Sequence, residues 1–215
     1  MMNSKLITLT KKYSTVVLAN GSFPTHDIPL NILRNAERVI CCDGAAENLL
    51  AFGREPDFVV GDLDSLPADL KLRYASRLQH FAEQETNDLT KSVRFCVANG
   101  WTPLAVLGAT GKREDHTLGN LSLLTDYAEY ADLQAYTDHG VFTPQLQSAN
   151  YESFIGQQVS VFSLTNDTVF TFGGLRYPVV QRRLTSWWQA SLNEALGTRF
   201  SIEMTEGKAL IFRKY

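Results

Sequence analysis

Of 215 residues only three are cysteine, and two of them, Cys41 and Cys42, are adjacent. Neighbouring cysteines rarely pair with each other, and Cys96 sits in an apolar helical run. No disulfide framework is visible, which excludes a small stapled scaffold. Charge of one sign is also scarce in excess, with 20 Lys and Arg against 23 Asp and Glu and a net charge of −3. A basic nucleic-acid-binding domain would carry a surplus of Lys and Arg. A disordered chain would combine more net charge with fewer apolar residues than the 44% present. No apolar run exceeds strand length, which excludes a spanning helix. Met1–Lys12 is mixed and polar, without the apolar core of a signal peptide. These absences lead us to expect a cytoplasmic protein with neither nucleic acid nor membrane as partner.

Several catalytic signatures are missing too. No Gly-x-Gly-x-x-Gly follows any strand. Gly108–Arg113 is not a P-loop, because the glycine that should precede Gly111 by five is Val106. His116 has no Cys or His companions at zinc spacing, and no Gly-x-Ser-x-Gly elbow occurs. Internal repeats and low-complexity stretches are absent as well.

What is present is a change of pattern along the chain. Thr15–Ala19, Arg38–Cys42, Phe58–Val60 and Leu104–Leu107 are short apolar runs, each ending in a turn residue. Helical patterns lie between them. Ala45–Phe52 is one, and Pro67 suits the first turn of another that Leu70 and Tyr74 anchor. Asn87 can cap a third, with Leu89, Val93, Cys96 and Val97 on one face, and Leu118, Leu121 and Leu124 mark a fourth. Alternating strands and helices predict a Rossmann-like α/β domain with a mostly parallel sheet. From Gln157 onward strand periodicity takes over, with Phe200, Ile202 and Met204 alternating with Ser201 and Glu203. That predicts an antiparallel β-sandwich. We therefore expect an α/β domain over residues 1–140 and a β-sandwich domain over 141–215.

The carboxylates follow the strands. Asp43, Asp62 and Asp64 come directly after predicted strands, and Asp88 opens a helix. In an open parallel sheet ligands bind beyond the carboxyl ends of the strands, so these acids should converge. In an extended Asp62-Leu63-Asp64 the two carboxylates would point the same way. Side by side they repel unless a cation or proton sits between them. Mg²⁺ favours such oxygen ligands together with substrate phosphates. The plainer reading of a lone Asp-x-Asp is a helix cap or a solvated surface; Asp43 and Asp88 at equivalent strand ends favour the metal. Gly108–Arg113 can hold phosphate through backbone N–H groups, with Lys112 and Arg113 adding charge. Asn20-Gly21 after the first strand is a weaker candidate of the same kind. Lys91, three residues after Asp88, could equally be a surface ion pair worth ~0.5 kcal/mol or less. Trp187-Trp188 reads as core or interface, or more sharply as an aromatic wall for a flat or cationic ligand.

Four segments together resemble one family. Asp43-Gly44-Ala45-Ala46, Gly61-Asp62-Leu63-Asp64-Ser65, Thr86-Asn87-Asp88-Leu89-Thr90-Lys91 and Gly108 through Asn120 occur in the order and spacing of thiamine pyrophosphokinases. Gly174–Pro178 and Ser191–Glu194 extend the resemblance over nearly the whole chain. The resemblance implies transfer of a diphosphate from ATP to the thiamine hydroxyl, giving thiamine diphosphate and AMP. It implies a homodimer with active sites at the interface. It further implies a Mg²⁺ site at Asp62, Asp64 and Asp88, with Asp43 as a further acid near the metal or nucleophile. Lys91 and Arg113 become phosphate contacts, with Asp115 and Asn120 beside them. Thr86 and Thr90 belong to the nucleotide motif, and Asn20 and Gly21 are assigned to the same ligand. For thiamine the resemblance points to Trp187, Ser191 and Asn193. Where relatives carry Ser-Asn before the Glu, this chain reads Leu192-Asn193, which keeps Asn193 in register and moves the serine to Ser191.

Two other classes remain on the sequence alone. Val59–Asp64 has the strand-then-Asp-x-Asp form of an aspartate-dependent Mg²⁺ phosphatase, although that Asp normally follows the first strand and here follows the third. A non-catalytic nucleotide- or thiamine-binding regulator could keep the same fold.

Overall fold

The computed structural model describes residues 6–8 and 11–215. The chain divides into two compact units, one Lys12–Asp138 and the other His139–Tyr215 together with strand β1 (Leu6–Ile7).

The first unit alternates strand and helix in the order β2 (Thr15–Leu18), α1 (Asp27–Asn35), β3 (Arg38–Cys42), α2 (Ala45–Ala51), β4 (Phe58–Gly61), α3 (Ala68–Arg73), β5 (Leu78–His80), α4 (Asp88–Ala98), β6 (Leu104–Leu107), α5 (Glu114–Tyr127) and β7 (Leu133–Tyr136). Its strands lie side by side as β7-β6-β2-β3-β4-β5, and every pair is parallel. The β-branched and apolar runs expected as strands are indeed buried: β2 and β6 throughout, and β3 and β4 after their first residue, while β5 and β7 are strands that the runs did not mark. A parallel sheet covered on both faces demands such near-continuous apolar strands. The order reverses between β2 and β6, since the chain builds outward through β3, β4 and β5 on one side and returns to add β6 and β7 on the other. Such a switch point opens a crevice beyond the carboxyl ends of the strands.

Helix α4 explains how one side of that crevice is held. Asn87 caps it by accepting a hydrogen bond from the Thr90 N–H at 2.9 Å. Leu89, Val93 and Cys96 are buried on its inner face. Each buried aliphatic side chain of this kind stabilises by about 1.5–3 kcal/mol. Phe95 packs edge-on to Phe58 of β4 and to Trp101, with ring centroids 5.2 and 5.6 Å apart. Helix α5 differs from its predicted stripe. Its buried residues are Leu124, Thr125 and Tyr127, all in its last turn, while Leu118 is exposed. The first turns of α5 therefore stand out from the core.

The second unit contains β8 (Gly140–Gln145), β9 (Ala149–Glu152), β10 (Gln158–Ser163), β11 (Val169–Gly173), β12 (Arg182–Arg183), β13 (Asn193–Glu194), β14 (Arg199–Met204) and β15 (Ala209–Lys214). One layer runs β1-β9-β14-β11-β12 and the other contains β13-β10-β15-β8. Their inner faces share one core that includes Tyr151, Phe170, Phe172 and Phe200 from the first layer with Val159, Val161 and Ile211 from the second. This is the expected sandwich. All pairings between consecutive layer neighbours are antiparallel except β1 with β9. The parallel strand β1 is a feature that periodicity did not reveal. Arg213, fully buried, holds it by donating to the carbonyls of Ile7, Thr8 and Glu152 and by stacking over Tyr151. Among the described residues no helix is long and apolar enough to cross a membrane.

Candidate functional site

The crevice of the first unit is a cleft of about 570 Å³. Four strand ends supply it: Asn20 and Gly21 after β2, Asp43 after β3, Asp62 after β4, and Ala109, Gly111, Lys112 and Arg113 after β6. Asp88 and Lys91 enter from the start of α4, and Asn120 from α5. Thr86 completes the wall.

Three carboxylates meet in it. Asp43, Asp62 and Asp88 each place an oxygen within 4.8 Å of the other two. Gly61 makes the approach possible: a Cβ there would lie 3.0 Å from the Asp88 carboxyl carbon and 3.2 Å from Asp43 Cβ. Asp43 is 3% exposed and its backbone takes the left-handed conformation, φ +35°. One of its oxygens, Oδ2, accepts from the Ser65 N–H at 2.8 Å. The other, Oδ1, is buried without a hydrogen-bond partner. Asp62 accepts from the Asp64 N–H at 3.1 Å and from Gln84 Nε2 at 3.2 Å. Asp88 accepts from Lys91 Nζ at 3.4 Å, and Lys91 is itself 3% exposed.

The electrostatics follow from this layout. Burial raises the Asp43 pKa, the Ser65 N–H opposes that rise, and Asp88 and Asp62 add to it. Burial likewise raises the Asp88 pKa, against the attraction of Lys91. Asp62 is lowered, first by the Asp64 N–H and then by Gln84. Two carboxyls that resist ionisation beside one that favours it make a site that gains from a bound cation.

Asp64 lies outside this triplet and is exposed. The expected side-by-side geometry required an extended turn, but Leu63 has φ +65° and its side chain is buried. A left-handed residue reverses the chain, so Asp64 turns to the open side and contributes its N–H to Asp62 instead. Asp43 takes the third place in the cluster.

The opposite wall is built by two glycine loops packed backbone to backbone. Gly21 N–H donates to the Gly108 carbonyl and Ser22 N–H to the Thr110 carbonyl, each at 2.8 Å. A Cβ on Gly21 would fall 2.3 Å from both carbonyl oxygens, so only glycine fits. Asn120 ties this wall to α4 by donating to the Ala109 carbonyl at 2.9 Å and accepting from Asn87 Nδ2 at 3.1 Å. Asn20 Oδ1 accepts from Lys112 Nζ at 3.0 Å. Arg113 is exposed and donates twice to Asp115, whose pKa falls to about 2 under that pairing. Asp115 does not line the cleft, and neither does Thr90, which is buried behind Asn87 and bonds to Tyr127 Oη at 2.6 Å. Gln84 and Ser65 hold the acids in place. Ser65 adjoins the Asp-x-Asp segment, but no spacing singles out Gln84.

In the second unit Trp187 and Trp188 are exposed, the latter at 75%, so neither belongs to the core. Trp187 stands edge-on to Phe162, with centroids 6.0 Å apart. Ser191 Oγ donates to the Trp188 carbonyl at 2.8 Å. Asn193 is buried, and its amide is engaged at both ends: Oδ1 accepts from the N–H groups of Tyr177 and Glu194, and Nδ2 donates to the Tyr177 carbonyl. This joins the Gly174–Pro178 and Ser191–Glu194 segments into one patch.

Clustered carboxylates beside a glycine-rich wall at the switch point of a parallel sheet define an α/β domain with its cleft at the carboxyl edge, followed in the chain by a β-sandwich. Family profiles match both parts: "Thiamin pyrophosphokinase, catalytic domain" over residues 30–137, and "Thiamin pyrophosphokinase, substrate-binding domain" over residues 140–212. The chain belongs to the thiamin pyrophosphokinase family. Thiamin pyrophosphokinase 1 of Caenorhabditis elegans is 30% identical over 108 residues, 46% of this chain and 44% of that protein. Thiamine pyrophosphokinase 3 of Oryza sativa subsp. japonica is 35% identical over 80 residues, 33% of this chain and 30% of that protein. The matched segments thus span about half or less of these relatives. Among solved structures, thiamin pyrophosphokinase from Candida albicans superposes with a TM-score of 0.80 at 18% identity, covering 99% of this chain and 93% of that one. The one from Geobacillus thermodenitrificans gives 0.73 at 22% identity, covering 94% and 97%. At these identities the likeness is one of fold.

Proposed function

We propose that this chain transfers the terminal diphosphate of ATP to the hydroxyl of thiamine, releasing AMP. The observation that carries this reading is the meeting of Asp43, Asp62 and Asp88 at the carboxyl edge of the sheet, facing the Gly21 and Gly108–Gly111 wall, in a chain of this family.

The donor set fits a divalent cation. Three carboxylates within 4.8 Å repel one another, and the buried Asp43 Oδ1 has no partner. Asp62 and Asp88 with Asp43 would hold Mg²⁺, and Asp64 carries a further carboxylate on the open side of the same turn. Bound there, the ion would offset phosphate charge in an otherwise acidic cleft.

The chain's own groups do the rest. Phosphoryl-type transfer depends on positioning and charge stabilisation more than on covalent chemistry. Backbone N–H groups at the N-terminal turn of α4 bind phosphate oxygens. Lys91 and Arg113 neutralise charge on the transferred group and on the leaving α-phosphate. Asn20, Gly21, Thr86, Thr90 and Asn120 shape the nucleotide's place, with Asp115 orienting Arg113. The thiamine hydroxyl attacks the β-phosphorus, the bond from that phosphorus to the α-phosphate oxygen breaks to release AMP, and the hydroxyl proton passes to Asp43 or Asp88. No activated nucleophile stands in the cleft, so we assign no covalent enzyme intermediate.

Trp187, Ser191 and Asn193 are assigned to thiamine, Asn193 acting through the Tyr177 segment it holds. The exposed Trp188, Leu192 and Leu196 of this unit support a homodimer whose sites lie at the subunit interface. A cytoplasmic location completes the proposal. The decisive assay measures AMP release from ATP, Mg²⁺ and thiamine. AMP formed only when all three are present supports the reading. Rapid hydrolysis of a generic phosphomonoester, or ligand binding without AMP, overturns it.

A further inference from the structure

Three non-glycine residues beside the cleft hold a left-handed backbone: Asp43, Leu63 and Lys112. Burial explains the first two, since the Asp43 and Leu63 side chains are both packed inside. Lys112 is exposed and packs nothing. Its φ is +60°, directly after Gly111 at +79°, and a glycine would take that conformation without strain. The return for this strain is a single contact, Lys112 Nζ to Asn20 Oδ1, which joins the loop after β6 to the loop after β2. An uncharged amide oxygen is a poor partner for an ammonium compared with a phosphate oxygen. The other cations of the cleft are committed to carboxylates, Lys91 to Asp88 and Arg113 to Asp115. Among the described lysines and arginines lining the cleft, Lys112 alone has an uncharged partner.

We propose that Lys112 grips the polyphosphate of the incoming nucleotide, exchanging Asn20 Oδ1 for a phosphate oxygen, and that its left-handed backbone persists because it aims the ammonium across the cleft. The inference rests on the cleft being the ATP site. Its test is therefore ATP binding with Mg²⁺ in the absence of thiamine, followed by calorimetry on the full chain alongside thermal melts. Lys112→Gly should lose about tenfold in ATP affinity, the worth of one charge-assisted contact. The same variant should gain about 2–4 °C in Tm as the strain is released. Lys112→Ala should lose similar affinity without the gain, and Lys112→Arg should retain most of it. Unchanged affinity in both the Gly and Ala variants overturns the proposal. So does an affinity loss that Arg fails to rescue and that comes with a fall in Tm for Lys112→Gly, the mark of a loop residue that only supports the fold. Wild-type protein that binds ATP yet releases no AMP would remove the proposed reaction while leaving the Lys112 assignment to be judged on binding alone.

Discussion

Asn193 and the backbone of Tyr177 exchange two hydrogen bonds, at 3.0 and 2.8 Å, although sixteen residues separate them. A buried side-chain amide thus stands in for a missing strand partner. Arg176 N–H extends the same contact by donating to the Glu194 carbonyl at 2.8 Å.

Asn193→Ala leaves the Tyr177 N–H and carbonyl unpaired and should lower stability by about 1–3 kcal/mol. Chemical denaturation measures this directly. Asn193→Asp, which sets a buried carboxylate oxygen against the Tyr177 carbonyl, should lose at least as much. If the Tyr177 segment serves thiamine, the KM for thiamine rises in both variants while ATP affinity is unchanged. An Ala variant with wild-type stability would show that the amide pair holds nothing.

Replacing Asp43, Asp62 or Asp88 by Asn should remove metal-dependent function in each case, with effects on stability that differ by residue. Mg²⁺-dependent turnover should drop by about 100-fold or more, as expected when a positioned charge is lost from a transfer site. In the metal-free protein Asp43→Asn should melt at the same temperature or higher, because a buried carboxylate repelled by its neighbours is gone, whereas Asp88→Asn leaves the buried Lys91 without its carboxylate and should melt lower. A pronounced Tm loss in the Asp43 variant would mean that the cluster is structural.

Gly61→Ala probes the same cluster from beneath. The added methyl meets the Asp88 carboxyl at 3.0 Å, so that side chain must shift by a few tenths of an ångström. We expect weaker Mg²⁺ binding, read as a smaller metal-induced rise in Tm, with far-UV circular dichroism unchanged. Wild-type metal response would show that the acids tolerate displacement.

The pKa directions set a pH dependence. Asp43 and Asp88 are raised above the ordinary value of 3.8, so the fold holds their protons more tightly than the unfolded chain does. Their ionisation costs stability as pH rises through their folded pKa values. Asp62 is lowered and has the opposite sign, stabilising above 3.8 and losing that contribution as pH falls through its folded value. A divalent cation relieves the cost at Asp43 and Asp88 only once they are ionised. The Tm increment from Mg²⁺ should therefore grow between pH 4 and pH 7. A constant increment across that range would place the ion elsewhere.

Much of this arrangement is visible in the residue order. The runs ending at Leu18, Cys42, Gly61 and Leu107 are strands because β-branched and apolar residues dominate them, and an aspartate or glycine at each end marks the cleft edge. The Asn87 cap is visible for the same reason: a short polar side chain stands just before an apolar helical face. The conformations of single residues are not visible. Leu63 has no compositional mark of a left-handed residue, yet its φ decides that Asp43 and not Asp64 joins the cluster. Gln84 reaches Asp62 from 22 residues away, a contact made by tertiary folding alone. Leu118, Leu121 and Leu124 correctly mark helix α5, but periodicity does not report which of its turns have a neighbour, and Leu118 is exposed. For Trp187 and Trp188 the residue order leaves core, interface and ligand wall open, and their exposure removes only the core.

The parallel strand Leu6–Ile7 has a consequence for how the chain matures on the ribosome. It is synthesised before the entire Lys12–Asp138 unit, yet its pairing partner, Ala149–Glu152, and its anchor, Arg213, are among the later residues made. The α/β unit is continuous in sequence and can close as it emerges. The sandwich is interrupted by that whole unit and must carry an unpaired strand until Ala149–Glu152 and Arg213 have been made. Pairings this distant in sequence are slow to form, so completion of the sandwich should be the late event in the birth of this protein.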